Sequence, residues 1–467
     1  MKKSTLALAV ISAALAQQSV AAGFIEDSKA TLGLRNFYIN NDNRDSDAGT
    51  PKVKAGGVQS YQAEWGQGFD LRFTSGFTQG TVGFGVDAIG LLGVKLDSSE
   101  AKHGNPTGAL SGGNVFPTQG NEAVDDFASL GLTAKAKVSQ TEFRFGTLMP
   151  KNPVIVTNDT RLVTQTFQGG QIQSNDIKDL TLTAGQIEHA KGRNSTDDKG
   201  LSIAGANGGS NYDKATLSNK FYYAGADYRF TKNLIASYYF GELKDFYQQN
   251  FLGLVHNWSI GPGVLKSDLR YYRSREDGAN RSEPDYFTSG YYPGNTSLST
   301  LTKGRVDNNL YSGLFLYSVA GHTFGGGYQY SNGESDFPWL NQGDGASTST
   351  INDLQIQKFL RAGERSWQGR YAYDFAALGI AGLSAGLIYV RGNNVDTVGK
   401  VGAAQSSVLG TGTSEWERDI SVSYVIQTGA LKNMGFTWKN AMWRNNIPGQ
   451  RDQDENRLIV SYSLPLF

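Results

Sequence analysis

The sequence predicts an all-β fold, a transmembrane antiparallel β-barrel of about 18 strands built from a single chain. Three observations carry this. Apolar and charged residues alternate with period two over segments of about ten residues, the spacing of a strand with two unlike faces. The connections between those segments are alternately long and short. Beyond the N-terminus no apolar run approaches the roughly 18 residues of a membrane helix, and no cysteine is present to staple a small scaffold.

The chain opens with Lys2 and Lys3, an apolar run from Leu6 to Ala16, and Val20-Ala21-Ala22 before Gly23. A basic start, a short apolar middle and small residues before a cleavage point define a secretory signal peptide, residues 1–22, so the barrel domain is expected over residues 23–467. Equal numbers of basic and acidic residues, 43 of each, leave no global attraction to nucleic acid. Abundant glycine, 58 residues against 11 prolines, suits strands that pass close together.

Taken in order, the alternation is plainest in seven segments. Phe69, Leu71 and Phe73 oppose Asp70 and Arg72; Val82, Phe84, Val86 and Ala88 oppose Thr81 and Asp87. Leu130, Leu132, Ala134, Ala136 and Val138 oppose Lys135 and Lys137, and Phe143 and Phe145 oppose Glu142 and Arg144. Tyr222, Tyr228 and Phe230 oppose Asp227 and Arg229, and Tyr371, Tyr373 and Phe375 oppose Gln368, Arg370 and Asp374. In the last segment, Asn456 to Phe467, Leu458, Val460, Tyr462 and Leu464 share a face, with a bulge expected where Pro465 and Phe467 break the parity. Charges of both signs on the second face of strand after strand indicate a water-filled lumen, and only a closed sheet satisfies its backbone in lipid.

Long connections are expected at Asn41–Gln59, Asp97–Asp125, Met149–Ile177, Gly205–Leu217, Glu276–Asp307, Gly333–Gly363, Asn393–Thr413 and Asn445–Asp454. Short turns fall between them, as at Ser139–Thr141, Gly261–Gly263 and Ala320–Gly321, while Lys191–Asp198 reads as a turn and Gly241–Asn250 fits neither class. The connection at 149–177 breaks the alternation. Pro150 and Pro153 cannot both sit in a regular strand, and Val154-Ile155-Val156 needs an apolar partner, so this loop is expected to fold inward as a constriction with Arg161 toward the lumen. A second inward loop is expected at 333–363, bearing Glu334, Asp336 and Asp344.

An enzyme is the different-class alternative, an outer-membrane hydrolase of esterase or protease type. The four histidines lack metal-ligand spacing, and no nucleophile elbow or phosphate-binding glycine loop stands at a strand-to-helix junction, so no catalytic residue, metal or cofactor is expected.

Local wording then points to a family. Leu34-Arg35-Asn36-Phe37-Tyr38, the block from Ser75 to Ala88, Asp159-Thr160-Arg161-Leu162 with Gln165-Thr166, Gly321-His322-Thr323-Phe324, Gly363 to Gln368, and Arg457-Leu458-Ile459-Val460 resemble the OprD family of substrate-specific porins. The resemblance implies an outer-membrane channel, eighteen strands, inward loops, and passive uptake of small water-soluble solutes that carry a carboxylate, such as amino acids, short peptides or organic acids. It also implies a ladder of lumen arginines and lysines. The inward parity of this sequence supplies Arg35, Arg72, Lys135, Lys137, Arg144, Arg229, Lys266, Arg270, Arg370 and Lys439, with Arg161 from the loop, while Thr437 and Ile388 stand where further basic residues would be expected. Asp159, Glu334, Asp336 and Asp344 would form an acidic side opposite, favouring zwitterions. The expected partners are small anionic or zwitterionic solutes and the lipid and lipopolysaccharide of the outer membrane, with the chain a monomer or weak homotrimer.

Overall fold

The structure, a computed structural model, describes residues 23–44, 61–103, 115–204, 217–282, 306–333, 335–341, 348–395, 413–447 and 450–467. The signal peptide expected at 1–22 lies outside them.

Eighteen strands form one closed antiparallel barrel. The first nine are β1 (Lys29–Arg44), β2 (Tyr61–Thr74), β3 (Gly83–Asp97), β4 (Asp126–Val138), β5 (Thr141–Leu148), β6 (Thr166–Ser174), β7 (Leu180–Lys191), β8 (Phe221–Thr231) and β9 (Leu234–Leu243). The others are β10 (Tyr247–Ile260), β11 (Gly263–Glu276), β12 (Asp307–Val319), β13 (His322–Gly333), β14 (Arg365–Asp374), β15 (Leu383–Asn393), β16 (Ser414–Val425), β17 (Gly435–Asn445) and β18 (Asp452–Pro465). Each pairs with its sequence neighbours, and β18 returns to β1 over the register Thr31↔Pro465 to Arg44↔Asp452. Closure leaves no edge strand, which is what a lipid environment demands.

The outer wall carries the apolar half of the alternation. Leu71, Phe84, Leu130, Phe145, Phe230 and Leu458 are exposed there. At the short-turn end, Ala320 and Gly321 both have positive φ, 49° and 83°, and join β12 to β13 in the two-residue turn that matches strand twist. Long connections gather at the other end, the extracellular side of such a barrel. Residues 244–246 are the exception, a tight link between β9 and β10 on that side.

Three expectations are corrected. The connection begun at Met149 ends at 165 rather than 177, because Thr166–Ser174 is a full barrel strand paired with β5 and β7. Residues 199–204, expected as a strand after the Lys191–Asp198 turn, do not form a barrel strand: Asp198–Lys199 pairs only with Ala190–Lys191 at the end of β7, and Ser202–Ala204 pairs instead with Trp339–Asn341 from another loop. These two errors cancel in the strand count. Finally, β18 meets β1 without a register shift, so Pro465 ends the strand and makes no bulge; the shifts fall at Trp65/Gly66, Gln168/Gly169 and Arg229/Thr231.

The packed core lies inside the barrel, toward the extracellular end. Val154 and Ile155 meet Phe337, Leu340, Leu360, Leu201 and Ile203, and together they cover wall residues such as Phe167, Phe221, Tyr247 and Tyr272. A smaller cluster joins Leu162, Val163, Val115 and Phe116 to Phe37, Ile89 and Phe127. The apolar run noted at 154–156 thus finds its partners in other loops as well as the wall.

Candidate functional site

Glycines notch the wall where loops press on it. A Cβ at Gly68 would lie 2.6 Å from the Leu162 carbonyl oxygen, and one at Gly241 2.9 Å from Val154 Cβ. Residues 149–165 therefore lie within the barrel, close against β2 on one side and β9 on the other. Tyr272 of β11 touches both inward loops, its hydroxyl donating to the carbonyls of Pro153 (3.4 Å) and Ser349 (3.2 Å).

The arginines share a local device. On a strand, residues two apart point to the same face, and in five strands an inward arginine bonds an acid or amide two positions earlier. Arg72 holds Asp70 side-on at 2.9 and 2.6 Å, and Arg270 holds Asp268 at 2.8 and 2.7 Å. Arg144 donates to Glu142 and Arg457 to Glu455, each at 2.5 Å, and Arg370 donates to Gln368. Each pairing fixes the planar guanidinium and leaves other N–H groups aimed away from the wall.

Those other donors mostly meet loop backbone. Arg270 donates to Ser349 O, Arg370 to Ile351 O at 2.6 Å, and Arg457 to Gln355 O at 2.8 Å. Arg35 donates to Arg161 O at 2.7 Å while gripping both Asp159 oxygens at 2.8 and 3.2 Å. Loop N–H groups meet acids in return. Glu417 accepts from Ile356 and Gln357 at 2.8 and 2.7 Å, and Asp419 from Gln355 at 3.2 Å. The connection at 348–364 is thus held along its backbone by the wall from β11 to β18.

The expected site residues separate into groups. At the seam of β1 and β2, Arg35 and Asp159 line an open cavity of about 250 Å³ together with Asp70, Thr164, Asn433 and Ser461, and Arg72 is paired with Asp70 beside it. Arg161 is buried, its guanidinium 4.0 Å from Glu455, and Lys439 lies in register with Arg457 on the adjacent strand. Lys135 is buried against the wall, with Nζ on Asp87 and Ser75 O at 2.7 Å each and over the Phe77 ring. Lys137, Arg144, Arg229 and Lys266 are exposed near the short-turn end. Asp336 is fully buried and accepts from Ala362 N at 2.7 Å, so it anchors its own loop rather than facing an open lumen. Glu334 and Asp344 lie outside the described residues. Thr437 and Ile388 sit on the inner face, Ile388 between Arg370 and Asp419.

Sequence reasoning missed the most buried charges. Arg361 donates to Glu415 at 2.5 Å with both side chains almost fully enclosed, and Trp443 Nε1 donates to the other Glu415 oxygen at 2.6 Å. Glu364 accepts from Arg361 N; burial, and then the Glu415 carboxylate, hold its carboxyl well above the ordinary glutamate range, against the pull of Arg361. Arg193 was missed too, and binds Asn158 and Thr160 in the first loop at 3.2 and 2.5 Å. For Arg457 and Glu455 a signal was present, since both oppose Leu458.

One histidine meets both an acid and a hydroxyl: His103 is 2.7 Å from Glu64 and 2.8 Å from Thr118 Oγ1. Its ring is fully buried, and the second Glu64 oxygen accepts from Val115 N, so the trio ties the connection after β3 to β2. Among the described residues no cluster of metal-ligating side chains occurs.

A closed barrel with an apolar outside, a charged inside and loops folded into its bore is an outer-membrane channel. Comparison with known proteins narrows the class: residues 22–466 match the model of the outer membrane porin, OprD family. The chain belongs to the OprD family of substrate-specific outer-membrane porins. It is 33% identical over 460 residues to the porin-like protein GalP of Pseudomonas putida, covering 98% of this chain and 96% of that one. Pseudomonas aeruginosa OccK8 (OprE) superposes with a TM-score of 0.81 at 56% identity, covering 95% of this chain and 100% of the other. Pseudomonas aeruginosa OpdK, solved with vanillate, superposes at 0.76 with 33% identity over the same shares.

Proposed function

We propose that the chain conducts small carboxylate-bearing solutes, amino acids or related organic acids, by passive selective diffusion. The observation that carries this reading is the cavity at the β1–β2 seam, where Arg35 and Arg72 stand beside Asp70 and Asp159 with all four side chains part-exposed. A guanidinium offers a carboxylate paired donors, and the neighbouring acids offer an ammonium its counter-charge. In a water-filled bore such a contact is worth about 1 kcal/mol or less, enough to concentrate a solute without trapping it. Vanillate on OpdK is itself a carboxylate, which supports the same substrate class here.

Single-channel recording in planar bilayers, with a panel of carboxylates, amino acids and uncharged isosteres, tests the proposal. Carboxylates should interrupt ion current where isosteres do not, and Arg72→Gln should weaken that interruption while the barrel still assembles. Equal behaviour of carboxylates and isosteres would sink the reading, as would absent conductance accompanied by ester hydrolysis.

A further inference from the structure

One stretch of the outer wall departs from the apolar studding found elsewhere. On β12 and β13 the lipid-facing positions Gly313 and Gly326 carry no side chain, and a Cβ at Gly326 would meet nothing within 4 Å. The result is an open hollow of about 670 Å³ in the wall, framed by Leu269, Tyr271, Tyr311, Phe315 and Tyr328. Its lining is almost wholly apolar, so within the bilayer it takes a hydrocarbon chain.

The extracellular rim of the hollow is built differently. Tyr271, Tyr311 and Tyr330 stack side by side across β11, β12 and β13, with ring centroids 4.9 and 6.5 Å apart and planes inclined by 28°. Tyr271 donates to Asn309 and Tyr330 to Asn332, each at 3.0 Å, which puts the hydroxyls at the wet boundary of the hydrocarbon layer. The row ends beneath the Arg365 guanidinium, 4.8 Å above the Tyr330 ring. Arg273 is exposed one step beyond Tyr271 on the same outer face, and Arg275 follows it, paired with Asp307. Among the described residues of this outer face, three cations against one acid thus stand above an acyl-sized hollow.

We propose that this hollow is a binding site for one phosphorylated, multiply acylated glycolipid of the outer leaflet, with an acyl chain lying over Gly313 and Gly326 and a phosphate between Arg273 and Arg365. Lipid tails gain no hydrophobic energy by moving from bilayer to protein, so the chain is held by close packing and the headgroup by charge. The two parts explain each other: glycines alone would accept any tail, and arginines alone any phosphate.

The test uses the full chain purified in mild detergent, with purified lipid A and a phosphatidylglycerol of matched chain length as probes, read by native mass spectrometry. Lipid A should remain bound as a single copy through detergent exchange and phosphatidylglycerol should not. Arg273→Glu with Arg365→Glu should weaken lipid A binding by roughly tenfold or more, with the loss shrinking in high salt. Gly313→Leu with Gly326→Leu, which fills the hollow, should lower retention while leaving single-channel conductance unchanged, because both positions face away from the bore; that conductance also verifies folding. Equal retention by wild type and both variants would overturn the proposal, as would equal binding of the two lipids. So would a disulfide-linked dimer formed efficiently by Gly326→Cys, which would make a second copy of the chain the occupant.

Discussion

Replacing Arg361 with methionine keeps most of the side-chain volume and removes the one charge that the inward loop sends to Glu415. The ion pair is 2.5 Å long, with side-chain exposures of 2% and 1%, so solvent screens it little. Breaking a buried pair from one side costs roughly 3–5 kcal/mol, because the remaining carboxylate is stranded. Glu415 would keep the Trp443 donor, with Glu364 close by. The barrel ladder is untouched, so the molecule can lower this cost by releasing residues near 361 from the wall; at about 1.4 kcal/mol per decade, that shifts the docked-to-released ratio by up to roughly two to three and a half orders of magnitude. In planar bilayers the Arg361→Met channel should show new conductance substates and more current noise. Arg361→Met combined with Glu415→Gln removes the carboxylate stranded at position 415 and should return toward wild-type traces. Wild-type noise and conductance in the single variant would refute the reasoning, since the pair would then hold nothing in place.

Three further outcomes follow from the same geometry. Arg35→Ala removes a part-exposed pair with Asp159 worth about 1 kcal/mol or less together with the bond to the Arg161 carbonyl, so reversal potentials in a salt gradient should move modestly toward cations at low salt, and the charge part of that change should fade near molar salt. Gly68→Val drives a side chain into the Leu162 carbonyl; the strain, about 1–3 kcal/mol, should push residues 159–165 inward and lower conductance, where an unchanged value would place that loop off the wall. Glu364 has a raised folded-state pKa, so the docked loop binds its proton more tightly than a released one: the penalty is absent below the ordinary glutamate range, grows as pH climbs from there to the raised value, and is constant above it. Substates should therefore become more frequent as pH rises above the ordinary glutamate range, and Glu364→Gln should weaken that dependence.

Period-two alternation made the barrel legible because each lipid-facing position must be apolar whatever its neighbours do. It failed where that requirement is met with little side chain. Thr166-Phe167-Gln168-Gly169-Gly170-Gln171 reads as a loop, yet β6 is a complete strand: its outward positions include Gly170, and a Cβ there would find Phe145 of β5 at 3.6 Å. Parity located the inner-face arginines correctly as positions but said nothing of their partners. Lys135 and Arg72 look alike in sequence; one is buried against Asp87 and Ser75, and the other is part-exposed beside a cavity. The loop charges were the least legible, since Arg361, Asp336 and Glu364 acquire meaning only when the connection at 348–364 lies against β16.

The inner-face arginines and the inward loops form one mechanical unit. In Arg270, Arg370 and Arg457 an acid or amide two residues back fixes the guanidinium on its strand while the remaining donors hold carbonyls of residues 349–355. A wall arginine engaged in this way cannot be removed to test solute binding alone, because the loop it holds would move as well. Arg72 is the cleaner probe: its described bonds are to Asp70 on its own strand, and its side chain is 43% exposed. If lumen charge alone steers carboxylates, Arg72→Gln should lower their current block while leaving conductance substates as in wild type. If instead it introduces the substates expected of Arg361→Met, then even this rung carries loop structure, and selectivity in this channel is a property of the loops that the arginines hold.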